Sequence, residues 1–172
     1  MQVLCAIKQN RINMKIRTGF GYDVHKLEAG KEFWLGGIKL EHAKGAVGHS
    51  DADVLIHAIC DALLGAANLR DIGYHFSDQD AAYKGIDSKI LLKDVVKLIR
   101  EKGYAIGNID STIALEAPKV NPHIPAMCKV LSDVMGIDLD DISIKATTSE
   151  KLGFVGRTDG VAAYANVLIV KE

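Results

Sequence analysis

His49-Ser50-Asp51-Ala52-Asp53-Val54-Leu55-Ile56-His57 sets a loop histidine and a hydroxyl ahead of carboxylates, opens an apolar run, and interrupts that run with a second histidine. Continued to Ala66, the run carries Val54, Leu55, Ala58, Ile59, Ala62 and Leu63 at the helical period, so it reads as a core helix from about residue 51 to residues 65–67. Ser50 followed by Asp53 predicts the N-terminal cap. Asp53, His57 and Asp61 fall on one line of this helix. Buried carboxylates and imidazoles are costly unless paired or bound to a metal, so the line needs partners from an opposing element.

The best opposing candidate is Asp23-Val24-His25. Residues 16–24 are β-compatible, with Gly19 and Gly21 marking a bend or a close backbone approach, and on a strand Asp23 and His25 share one face. Phe33-Trp34-Leu35, Gly36-Gly37 and Ile38-Lys39-Leu40 read as a β-hairpin, and residues 44–48 as a loop. Residues 68–85 are polar and aperiodic, the pattern of a long exposed loop. A second helix is predicted over 88–102, with Leu91, Leu92, Val95, Val96, Leu98 and Ile99 inward and Gly103 as its stop. A strand at 109–115, a proline-punctuated link and a third helix ending at Gly136 follow. Strands at 142–147 and 161–170 enclose a loop of hydroxyls and charges. This order predicts an α+β fold: a single domain with a mixed β-sheet backed by helices, of split βαβ type.

The chain has 172 residues, 48% of them hydrophobic, enough for one sizeable core. A net charge of -1 without a Lys/Arg block speaks against nucleic acid as a partner. Cys5, Cys60 and Cys128 lack metal-type spacing, which points to reduced thiols and a cytoplasmic protein. Residues 1–13 read as a leader, too short in their apolar run to span a membrane, with Met14 as an alternative start and residues 14–172 as the domain.

Asp23, His25 and His57 offer a carboxylate and two imidazoles, a donor set that suits zinc and leaves a position for water or substrate. Spacing alone favours surface strand residues and a hydrogen-bonded core histidine, and the polar line on the helix shifts the balance toward a metal. Asp53 or Asp61 could accept the second ring N–H of His57 and fix its tautomer, or serve only as a cap or a solvated position. His49 and Ser50 stand at the presumed helix N-terminus, where free N–H groups favour phosphate; simple capping would need Ser50 alone. Thr147-Thr148-Ser149 offers clustered donors to an anion, though such runs also simply end strands.

Jointly, Asp23-Val24-His25, His49 to Asp53, His57-Ala58, Asp61 to Ala66, Asp71-Ile72-Gly73, Ala117-Pro118-Lys119, Pro122 to Pro125 and Lys145 to Thr148 resemble one family, 2-C-methyl-D-erythritol 2,4-cyclodiphosphate synthase of the non-mevalonate isoprenoid pathway. The resemblance runs from about Lys15 to the C-terminus. It implies Zn2+ on Asp23, His25 and His57, a second divalent cation, Mg2+ or Mn2+, at the diphosphate, and cyclisation of 4-diphosphocytidyl-2-C-methyl-D-erythritol 2-phosphate with release of CMP. It implies that His49 and Thr148 stabilise the transition state from opposite sides, with Ser50 at phosphate or diol. Asp71, Ile72 and Gly73 would meet the methylerythritol unit, beside Phe76, Ser77, Asp78, Gln79 and Asp80. Leu115, Glu116, Ala117, Pro118, Lys119, Val120 and Asn121 would form the cytosine pocket. Thr147, Thr148, Ser149 and Glu150 would hold the cytidine diphosphate, Glu150 serving the second metal. It further implies a homotrimer with active sites between subunits, and a threefold cavity lined by Phe154 and Arg157 that takes an isoprenoid diphosphate. Ser149 departs from the pattern, which carries a third threonine there. Competing readings of the residues are a metal-dependent phosphoesterase and a non-catalytic metal-binding module.

Overall fold

The computed structural model describes residues 14–77 and 79–171, with the backbone alone at Ala82; the leader over 1–13, Cys5 and Asp78 lie outside them. Seven strands form: β1 (Lys15–Ala29), β2 (Phe33–Leu35), β3 (Ile38–Leu40), β4 (Lys44–Val47), β5 (Ala105–Ala114), β6 (Ile142–Thr147) and β7 (Gly160–Lys171). The α-helices are α1 (Val54–Ala66), α2 (Ile72–His75), α3 (Ser88–Glu101), α4 (Ile124–Met135) and α5 (Gly153–Gly156). The main sheet has the order β4-β1-β7-β5-β6, and β2 and β3 make the separate hairpin. β1 and β5 each pair antiparallel with β7, so they run parallel with β7 inserted between them; β5 and β6 pair in parallel directly. The first of these relations is the predicted split βαβ unit, closed by α1 and α3.

β1 and α1 position everything else. A Cβ at Gly19 would overlap the Ala62 carbonyl, and one at Gly21 the Ala58 carbonyl, so these two glycines let the helix backbone lie directly on the strand. The close approach, rather than a bend, is their role. Val54, Leu55, Ile56, Ile59, Leu63 and Leu64 of α1 are fully buried, each worth about 1.5–3 kcal/mol. α3 buries Leu91, Leu92, Val95, Val96 and Ile99 as its periodicity predicts, and left-handed Gly103 and Gly136 follow the ends of α3 and α4. Cys60 and Cys128 are free and buried.

Three expectations need correction. Residues 44–48 are not a loop: Lys44–Val47 forms an edge strand that pairs antiparallel with residues 26–29 of β1, and Gly45 leaves room for the Lys31 and Glu32 backbone, which a Cβ would overlap. The α1 cap is Asp53 and not Ser50, so the helix starts at Val54. Asp53 is buried and accepts from Ile56 N at 3.1 Å, Gly36 N at 2.9 Å and Gly37 N at 2.7 Å, which ties the β2–β3 turn to the helix. Residues 68–85 hold α2, capped by Asp71, and a 3-10 turn at Ala81–Tyr83, elements too short for a periodic signal.

Among the described residues, nothing covers the sheet face away from α1. Ile16 and Phe20 are 57% and 61% exposed there, beside Tyr22, Val24 and Tyr164, and the rings of Phe20 and Tyr22 each lie tilted against that of Tyr164. No helix among the described residues is long and apolar enough to cross a membrane.

Candidate metal centre and adjoining pockets

Asp23 and His25 continue the β1 face that Gly19 and Gly21 present to α1, and His57 meets them from the first turn of that helix. Asp23 Oδ2 lies 3.0 Å from His25 Nε2 and 2.9 Å from His57 Nδ1, and the two ring nitrogens are 3.1 Å apart. Three donor atoms thus form a near-equilateral triangle; two ligands of a tetrahedral zinc ion stand about 3.3 Å apart. Among the described residues this is the group of His, Cys, Asp and Glu side chains able to hold a metal ion. All three are half-buried. Burial alone would raise the Asp23 carboxyl, but hydrogen bonds and charge from His25 and His57 outweigh it and hold the group well below the usual carboxylate range. Burial lowers His57, yet Asp23 more than compensates, so its ring holds a proton to higher pH than free imidazole. A divalent cation would replace that proton as the partner of the carboxylate.

The outer contact of His57 differs from expectation. Asp53 is consumed by the cap and the hairpin turn, and Asp61 accepts from Ile72 N at 2.8 Å, so neither carboxylate holds the second ring nitrogen. His57 Nε2 instead lies 2.9 Å from Ser88 Oγ and 3.1 Å from Ser50 Oγ. Ser88 opens α3, a helix whose sequence reads purely as scaffold. A lone serine before an apolar run gives no signal beyond a cap.

A cavity of about 330 Å³ is lined by the polar His25, His49, Ser50 and His57 together with Ile72, Gly73, Phe76, Tyr83, Ile86 and Leu91. His49 is exposed, its Nε2 3.3 Å from the Asp80 carbonyl, and it precedes the true start of α1, so the helix-terminus argument for phosphate does not apply to it or to Ser50. Asp71 accepts from Tyr74 N at 3.0 Å, and Ser77 Oγ accepts from Gln79 N.

A second cavity, about 250 Å³, is lined by Leu115, Glu116, Pro118, Lys119, Val120, Asn121, Thr147 and Thr148, and the Ala117–Pro118 bond beside it is cis. Glu116 accepts from Ser149 N at 3.3 Å, and Thr148 Oγ1 donates to Glu150 at 3.0 Å. Phe154 and Arg157 lie on or next to α5, outside both cavities, with Arg157 Nε donating to Asp159 at 2.9 Å. Within one chain the two cavities stay apart. Val24, Ala162, Ala114 and Thr147 form one row across β1, β7, β5 and β6, so three strand spacings, about 14 Å, separate the metal-ligand strand from Thr147.

Comparison with known proteins gives a consistent result. The model of the YgbB family matches residues 16–170. A 2-C-methyl-D-erythritol 2,4-cyclodiphosphate synthase from Parabacteroides distasonis is 69% identical over 91% of this chain and 97% of its own length. The bifunctional IspDF from Campylobacter jejuni superposes with a TM-score of 0.89 at 38% identity, over 92% of this chain and 43% of that longer one. A CDP complex of IspF from Plasmodium falciparum gives 0.81 at 36% identity, over 91% and 97%.

Proposed function

This chain belongs to the YgbB family, and from that premise we propose that it converts 4-diphosphocytidyl-2-C-methyl-D-erythritol 2-phosphate to the 2,4-cyclodiphosphate. The 2-phosphate oxygen forms a bond to the β-phosphorus while the bond from that phosphorus to the α-phosphate oxygen breaks. CMP leaves with the electron pair, and no water enters. The observation that carries this reading is the convergence of Asp23, His25 and His57, the two histidines of which line the 330 Å³ cavity.

A phosphate monoester is already largely ionised at neutral pH, so the site needs no strong base. Catalysis reduces to positioning and charge neutralisation. The methylerythritol unit sits in the cavity floored by Ile72, Phe76 and Tyr83, and the cytosine in the one formed by residues 115–121. His49 and Ser50 address the phosphates from the first side, Thr147 and Thr148 from the second. Asp23, His25 and His57 would hold the Zn2+, whose charge, when bound, polarises the diphosphate that the near-neutral chain cannot neutralise by itself. For Mg2+ or Mn2+ the chain offers no second three-donor cage among the described residues, only the Glu150 carboxylate, which fits an ion bound chiefly by substrate phosphates.

Two observations support an intersubunit site in a homotrimer: the spacing of about 14 Å between the half-sites, and the bare aromatic face of β1 and β7, which a neighbour would cover. A threefold cavity lined by Phe154 and Arg157 and open to an isoprenoid diphosphate belongs to the same reading.

Phosphorus NMR of the substrate with metal-loaded protein tests the reaction. The expected products are CMP and the cyclic diphosphate. An acyclic hydrolysis product would favour a phosphoesterase, and a fully metallated protein without turnover a binding module.

A further inference from the structure

The metal reading leaves unexplained why Ser88 and Asp51, neither of them a donor to the triad, converge on the far side of His57. Ser88 is fully buried. Its hydroxyl donates to Asp51 Oδ1 in a very short contact, and its backbone N–H donates to Asp51 Oδ2 at 2.9 Å. The only hydroxyl proton on Ser88 is thereby committed, so Ser88 Oγ presents lone pairs to His57 Nε2 at 2.9 Å. Asp51 is itself held by Asp53 N at 3.2 Å, and its own N–H donates to the Ile86 carbonyl at 3.1 Å.

We infer that Asp51 and Ser88 are positioning residues: a carboxylate–hydroxyl–imidazole relay accepts the Nε2 proton of His57 and so favours the tautomer whose Nδ1 lone pair is free for a metal shared with Asp23 and His25. Ser50 Oγ, 3.1 Å away, is a second acceptor for the same proton. The relay gives α3 a task beyond scaffold, because its first residue sets the tautomer of a side chain on α1. This inference rests on the proposed metal site, and metal affinity and tautomer report on the two separately.

Ser88→Ala deletes the hydroxyl and keeps the backbone bond to Asp51. It is expected to weaken zinc binding by about 10- to 100-fold in chelator competition, the usual cost of losing an outer contact to a ligating histidine, and Ser88→Thr is expected to recover most of the loss. Asp51→Asn can donate to Ser88, which turns the hydroxyl proton toward His57. In the metal-free protein, at a pH where the ring is neutral, Asp23 accepts at Nδ1 and the relay accepts at Nε2, so nitrogen NMR should show a larger share of the Nδ1–H tautomer in Asp51→Asn than in wild type. Wild-type tautomer in Asp51→Asn together with wild-type zinc affinity in Ser88→Ala would overturn the relay. A tautomer balance that shifts in a protein that never binds zinc at His57 would uphold the relay and remove the metal reading.

Discussion

His57 carries the sharpest consequences at the scale of single residues. With Asp23 ionised far below neutral pH and His57 holding a proton above the ordinary imidazole value of about 6.5, loading the site at any pH below the raised His57 value displaces a proton from His57 and none from Asp23. Metal affinity should therefore fall as pH drops through the raised His57 value, by roughly tenfold per unit once that ring is protonated, and level off above it. Competition with a chelator across pH checks this; an affinity that does not fall from the plateau as pH is lowered to the ordinary imidazole value and below contradicts the assignment. His57→Ala should lose the metal and cyclisation while thermal unfolding stays cooperative. At this scale the sequence was readable where chemistry follows local spacing: Asp23 and His25, two apart on a strand, must share a face. It was unreadable for Ser88, whose partners Asp51 and His57 lie 37 and 31 residues away and meet it only through the packing of α3 beside α1.

Among elements, the pairing of β1 with α1 decides whether the donor atoms meet. Gly21→Ala would drive a methyl group into the Ala58 carbonyl and force strand and helix apart. The expected cost is at least about 1–3 kcal/mol of stability, the usual range for overpacking, together with loss of metal affinity, measurable by urea unfolding and chelator competition on the same variant. Wild-type behaviour in both would show that the contact is not what aligns the site. Asp53→Ala removes the acceptor of three backbone N–H groups and should destabilise by about 2 kcal/mol or more. The periodic helices and the alternating strands were legible because one face of each is apolar. β4 and α2 were not: four residues carry too little period, and Lys44–Val47 is a strand only because β1 offers it an edge. The line Asp53, His57, Asp61 was correctly read as needing partners, yet it serves three separate ones.

At the scale of the whole molecule, a single chain sets the two halves of the proposed site about three strand spacings apart. Asp23, His25 and His57 lie at one side of the sheet and Thr147 and Thr148 about three strands away, while the aromatic face of β1 and β7 stands open. Association into a trimer answers both facts, and sedimentation should find three chains at working concentration. No pattern within one chain encodes which face meets a copy of itself; only the family resemblance pointed there. The account is tested most directly by mixing. His57→Ala and Thr148→Ala, each expected to be nearly inactive alone, are unfolded and refolded together in equal amounts and assayed by phosphorus NMR. Random assembly gives about a quarter of the sites an intact metal half from one chain and an intact Thr148 half from its neighbour, so about a quarter of the wild-type rate of cyclic diphosphate formation should return. A mixture no more active than the separate variants would contradict a site shared between subunits around the Asp23, His25 and His57 centre.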